Sequence, residues 1–242
     1  MSPSNRPARG RPSSRAAARR PGPNRTWIVV SALAIVVVVA VVIAVAASGG
    51  DNGGNPTPSK SAVQVAPVQV SGTPLAGFPA NGSDTAVGST IPTLTGSSLF
   101  DGSKMTIAPT GKPMVIAFVA HWCPHCQAEV PVLVALAQQG AFDGIDVRAV
   151  ATGTSSQLPN YPPSSWLERV KWPFPAMADS AKFDGANAYG LTGYPNLVFV
   201  DAGGKVVARS EGEVSSDVLT QALKDLKAGK AVSLSGGASS SK

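Results

Sequence analysis

The sequence predicts an α/β domain, a central mixed sheet flanked by helices, carried behind an N-terminal transmembrane helix. Three observations predict it. Between residues 85 and 229, apolar runs of strand length alternate with amphipathic stretches of helix length, the pattern of a layered core. The only two cysteines of the 242 residues, Cys123 and Cys126, stand where one such run passes into one such stretch. Residues 27–47 form an apolar run of 21 residues interrupted only by Ser31.

The first 26 residues hold seven arginines and no acidic residue, which leaves 13 Lys and Arg against 14 Asp and Glu in the rest of the chain. The pI of 9.6 therefore describes a tail and not a nucleic-acid-binding surface. Its Arg/Pro/Ser composition cannot bury a core, and residues 1–26 read as a disordered cytoplasmic tail. The run at 27–47, at about 1.5 Å per residue, spans roughly 30 Å, enough to cross a bilayer. Arginines before it predict an inside N-terminus and an extracytoplasmic C-terminal domain. A cleaved signal peptide is the competing reading, since Ala44 to Ser48 are small; the run exceeds the usual 7–15 residues of a signal core, which favours an uncleaved signal-anchor. Arg19-Arg20 is a poor twin-arginine signal because Pro-Gly-Pro follows it. Either way the cysteines lie where disulfides persist.

Residues 48–84, rich in Gly, Pro and Ser, read as a spacer. Asp101-Gly102 between apolar patches predicts a hairpin. Pro113 to Ala120 reads as a buried strand, Gln127 to Gln139 as the helix after it, and Asp146 to Ala151 as a second strand. A short helix is expected from Ser164 to Val170 and another, weakened by Gly185, from Asp179 to Leu191. Asn196 to Asp201 and Val206 to Arg209 pair around a Gly-Gly turn. Ser215 caps a last amphipathic helix that ends before Gly229. Residues 230–242 read as a disordered tail. Trp166, Trp172, Phe174 and Phe183 are expected in or near the core, with Trp166 and Tyr194 a candidate pair lining a client groove.

Chemistry concentrates in Trp122-Cys123-Pro124-His125-Cys126. Two thiols three positions apart can close a disulfide across the first turn of a helix and exchange it with another protein's cysteines. The unpaired N–H groups and positive pole of the helix start stabilise a thiolate at Cys123, the attacking and more exposed sulfur. Cys126, one turn inside, is the buried resolving sulfur. Pro124 suits the first turn, and His125 adds a cationic or proton-donating neighbour. These electrostatics lean toward a disulfide donor. Tyr194-Pro195, ahead of an apolar strand, is either a trans turn proline or, beside a redox pair, a cis one. The redox reading needs no cofactor beyond the Cys123–Cys126 disulfide itself.

Together these residues resemble the thioredoxin superfamily, and within it the membrane-anchored, extracytoplasmic TlpA/ResA-like redoxins, over about residues 86–228. The resemblance rests on Gly88-x-x-x-Pro92, Phe118-x-Ala120-x-Trp122-Cys123-Pro124-x-Cys126, Glu129-x-Pro131, Tyr189-Gly190-x-x-Gly193-x-Pro195 and Asp201-x-x-Gly204. It implies a thioredoxin-like fold and a thiol–disulfide oxidoreductase, with Pro195 cis beside the disulfide. It also implies that the Tyr194 backbone pairs with an extended substrate, alongside Trp122, and that Pro131 kinks the helix. Pro124-His125 is the dipeptide of oxidising Dsb-type enzymes, whereas reductive relatives often carry others. His121 replaces a small or polar residue, and Tyr194 a Thr or Val. Glu129, Glu168 and Asp179 are candidates for the buried carboxylate of some relatives, each read as a surface charge.

The expected partners are thiols or disulfides of exported proteins and a membrane or extracytoplasmic redox partner, with no nucleic acid. The alternatives are a reductase of exported or apocytochrome thiols and a soft-metal module using the cysteines with His121 or His125. A peroxide-reducing redoxin is a further alternative, but its usual cysteine setting is not present.

Overall fold

The computed structural model describes residues 61–234. The basic tail, the expected transmembrane run and most of the final tail lie outside the described residues, among which no helix is long and apolar enough to cross a membrane.

Eight strands form one mixed sheet: β1 (Gln69–Ser71), β2 (Thr93–Ser98), β3 (Lys104–Ile107), β4 (Met114–Val119), β5 (Asp146–Ala151), β6 (Ala176–Ala178), β7 (Asn196–Val200) and β8 (Val206–Glu211). Their order is β1-β2-β6-β5-β4-β7-β8, with β3 paired to β2. β4 runs parallel to β5 and antiparallel to β7, so it lies at the centre, and all six of its residues are buried. A strand covered on both faces must be apolar throughout, which is why Met114–Val119 shows no alternation in sequence.

Alternate residues of β4 feed two cores. Val115, Ala117 and Val119 point to the face covered by α1 (Pro124–Gln138), α2 (Pro163–Arg169) and α4 (Ser216–Lys227). Met114, Ile116 and Phe118 meet Ala186, Ala188 and Tyr189 of α3 (Asp184–Ala188) and its C-terminal end. Helices on both faces and the mixed sheet are as the sequence predicts, and the Asp101-Gly102 hairpin joins β2 to β3.

Three local expectations are corrected. From residue 61 onward the expected spacer is part of the domain: Ala66, Val68 and Leu75 are buried, and β1 pairs with β2. The Leu75 N–H donates to Ala188 O at 2.8 Å and the Phe78 N–H to Gly190 O at 2.7 Å. This segment is too polar for a core of its own, but a sheet edge and free carbonyls accept its backbone and its few spaced apolar residues. The expected helix at Asp179–Leu191 shrinks to the five residues of α3, after a short strand, β6, that the sequence did not suggest. Asp179 ends the helical reading because its buried carboxylate accepts the N–H groups of Ser180, Gly185 and Ala186. Phe183 just before α3 is left-handed (φ 59°) and is 42% exposed, so it does not join the core.

Candidate active site

The site forms where β4 ends and α1 begins. Cys123 is the residue before the first helical turn, in an extended conformation (ψ 122°), and Pro124 opens the helix at a position whose N–H would have no partner. The Gln127 N–H makes the first helical bond, to Cys123 O at 3.1 Å. No acidic residue sits in this first turn, so the positive end of the helix faces the sulfurs.

Cys123 retains 7% exposure and Cys126 none, so Cys123 is the more exposed sulfur, although it too is largely buried. Its Sγ lies at the rim, 3.5 Å from the carbonyl oxygen of Tyr194, to which the thiol donates. The Tyr194–Pro195 peptide bond is cis, and Pro195 is buried. Sequence residues 71 positions apart thus meet at one sulfur. Cys126 Sγ accepts from the Ala120 N–H at 3.4 Å. Burial pushes the Cys126 thiol well above the ordinary range, with the neighbouring Cys123 and Glu129 adding to it against that one favourable N–H.

Two aromatic rings stand beside the pair. Trp122 Nε1–H donates to Gly153 O at 2.7 Å, and the Trp122 and Tyr194 rings meet edge to face with centroids 6.2 Å apart. Gly153, at φ +61°, closes this corner; a Cβ there would touch both Trp122 Nε1 and the Tyr194 hydroxyl at 3.6 Å. Trp166, on α2, is buried at 3% exposure in the core, so it does not line a surface groove with Tyr194.

His121 is no free loop histidine. Its Nδ1–H donates to Pro159 O at 2.6 Å and its Nε2 accepts from the Ser155 N–H at 3.3 Å. Burial holds its pKa below the usual value despite the Pro159 bond, and both nitrogens are already used by the protein. His125 is exposed, and its Nδ1 meets Glu213 Oε1 at 2.7 Å.

Glu129, read from sequence as a surface charge, is buried one turn beyond Cys126. Its Oε2 accepts the Val214 N–H at 3.1 Å, and Oε1 has no partner among the described residues. Burial raises its pKa to about 7, the Val214 bond opposing and the Glu213 charge assisting. Asp179 is likewise buried, but its oxygens are taken by backbone N–H groups, while Glu168 is exposed. One signal for Glu129 lay in the sequence: its spacing from Cys126 and Val130 to Leu133 and Val134 puts it on the apolar side of α1.

Comparison with known proteins agrees with this geometry. Residues 86–227 match the Redoxin family. The chain is 28% identical over 142 residues to the thiol:disulfide interchange protein DsbE of Haemophilus influenzae, covering 58% of this chain and 74% of that protein. It is 28% identical over 142 residues to the thiol-disulfide oxidoreductase ResA of Geobacillus thermodenitrificans, covering 59% and 79%. With the thiol:disulfide interchange protein HelX of Rhodobacter capsulatus it shares 31% over 123 residues, covering 50% and 64%. The fold alone is shared with a crystal structure of a protein from Geobacillus kaustophilus, at TM-score 0.53 and 22% identity over 70% of this chain and 90% of the other. With its cysteine pair at the start of α1, this chain belongs to the Redoxin family and is a thioredoxin-like thiol–disulfide oxidoreductase.

Proposed function

We propose that this enzyme reduces disulfides of exported proteins. The Cys123 thiolate attacks one sulfur of the client disulfide, and the other client sulfur leaves as a thiolate. Cys126 gives up its proton and attacks Cys123 Sγ; the second client thiolate departs, the client has gained two electrons, and Cys123–Cys126 is a disulfide. Tyr194 O, beside Cys123 Sγ, is an acceptor for the extended backbone of the client.

The observation that carries the reductive direction is Glu129. A buried thiol such as Cys126 resists losing its proton, and a buried carboxylate one turn away, its Oε1 without a hydrogen-bond partner among the described residues, can receive it. A negative charge there also works against thiolate in the reduced form, which favours the disulfide and makes the dithiol a better reductant. The test is a titration of the Cys123–Cys126 couple against glutathione. A potential near that of thioredoxin, about −270 mV, is expected; one near −120 mV would reverse the direction.

The second reading, a disulfide donor, is favoured by Pro124-His125 at a helix start free of acidic residues. Both readings place the domain outside the cytoplasm on the membrane run at 27–47. A reporter active only in the cytoplasm, fused after Ala47, is expected to stay silent.

A further inference from the structure

We infer that Glu213 is a positioning residue for the redox site, holding His125 and offsetting its charge at the start of α1, so that the cysteine pair is less oxidising than Pro-His alone would make it. The inference rests on the exchange reading above and deepens its direction.

Exposed ion pairs seldom matter, because two free side chains rarely hold one geometry. This pair differs in its backbone. Four consecutive residues, the last of β8 and the three after it, each touch a different part of the site. The Glu211 carboxylate accepts from the Thr192 hydroxyl, beside Gly193 and Tyr194. The Gly212 N–H donates to Pro195 O at 2.9 Å. Glu213 Oε1 meets His125 Nδ1 at 2.7 Å, and the Val214 N–H donates to Glu129 Oε2 at 3.1 Å. Glu213 is therefore pinned on both sides by main-chain bonds to the cis-proline loop and to the buried carboxylate. The pair itself is open to solvent, with side-chain exposures of 66% for His125 and 49% for Glu213.

The sign follows from counting charge. Glu213 acts through His125: when the imidazole carries its proton, the carboxylate held at 2.7 Å cancels that positive charge, and an amide in its place leaves it to act on Cys123 unopposed. More negative charge near Cys123 disfavours the thiolate and hence the reduced pair. Glu129, Glu211, Tyr194, Cys123 and Cys126 also face this corner, and none of them supplies a cation for Glu213 to offset.

The test is the equilibrium constant with glutathione for the wild type, Glu213→Gln, His125→Ala and the double variant. Glu213→Gln keeps the shape and an acceptor while removing the charge. It is expected to shift the constant about threefold toward the reduced enzyme, about 14 mV at 29.6 mV per tenfold. The shift should fall to less than half in the His125→Ala background, and should shrink at 1 M salt, where screening acts within about 3 Å. An unchanged constant in Glu213→Gln, or an equal shift in both backgrounds, overturns the inference while the exchange reading stands. If the wild type fails to equilibrate with glutathione at all, both fall together.

Discussion

Glu129 Oε2 accepts the Val214 N–H at 3.1 Å, while its equally buried Oε1 has no hydrogen-bond partner among the described residues. A half-satisfied carboxylate in an apolar core is costly when ionised. Under the proposed mechanism, its place one helical turn from Cys126 gives that cost a use, since burial raises its pKa to about 7.

Replacing it separates stability from activity. A carboxyl raised from 4.5 to about 7 contributes stability that is complete below pH 4.5 and gone once pH rises past 7. Glu129→Gln removes that loss and is expected to be about 2–3 kcal/mol more stable relative to wild type at pH 8 than at pH 4, measured by chemical denaturation. Disulfide exchange should slow by roughly 100-fold, and the wild-type rise in rate around pH 7 should vanish from the pH profile. A variant with the same pH profile as wild type would remove Glu129 from the proton path.

The two sulfurs have different tasks. Cys126→Ser is expected to abolish turnover and accumulate a mixed disulfide with a cysteine-containing client, visible as a reducible mass adduct on Cys123. Cys123→Ser should trap nothing, because Cys126 is fully buried and its thiol is held protonated. Trapping by Cys123→Ser instead would invert the roles.

We propose that the aromatic corner, held by one hydrogen bond, binds clients. Trp122→Phe keeps the ring edge but loses the Nε1–H bond to Gly153 O. Exchange with a peptide client should lose about 1 kcal/mol, roughly fivefold in kcat/KM, while the redox potential stays put. Gly153→Ala at φ +61° should cost about 1–2 kcal/mol of stability in thermal unfolding, since the new Cβ makes only ordinary contacts and the penalty is conformational.

Away from the chemistry, the N-terminal segment is fastened to the sheet by charge. The Arg209 Nε and Nη2 groups donate to Asp84 Oδ2 and Oδ1 at 2.7 and 2.6 Å, and Nη1 to Tyr189 O at 2.8 Å. Burial alone would raise the Asp84 carboxyl. The Arg209 and Ala86 hydrogen bonds and the Arg209 charge outweigh it and hold the carboxyl below its ordinary 3.8. Asp84→Asn strands a guanidinium with no exposure and should cost about 3–5 kcal/mol by urea denaturation at pH 7. Because the folded pKa is depressed, the difference should be present above about pH 4 and fade as pH drops through the folded value. A cost independent of pH would mean packing, not charge, holds the segment.

Most of the sheet and the cysteine pair were legible along the chain because their signals are local. An apolar run of six, an Asp-Gly turn, a Ser cap at Ser215 and two cysteines one helical turn apart each report on a few neighbouring residues. Short elements were not legible: β6 has three residues, and α3 is shorter than its sequence pattern suggests because the buried Asp179 carboxylate, not periodicity, sets where the helix begins. Periodicity needs more than a turn or two to be visible.

The sequence by itself determined the α/β class, the redox pair, its place at a helix start and the apolar and basic character of the first 47 residues, since each depends only on nearby spacing and composition. Only the tertiary structure decided that Glu129 is buried with Oε1 unpaired among the described residues, that Cys123 Sγ meets Tyr194 O, that Asp84 clamps Arg209, and that residues 211–214 reach Thr192, Pro195, His125 and Glu129. Those relations join positions up to 125 residues apart, and burial and electrostatics depend on what folding brings near, which no local pattern encodes.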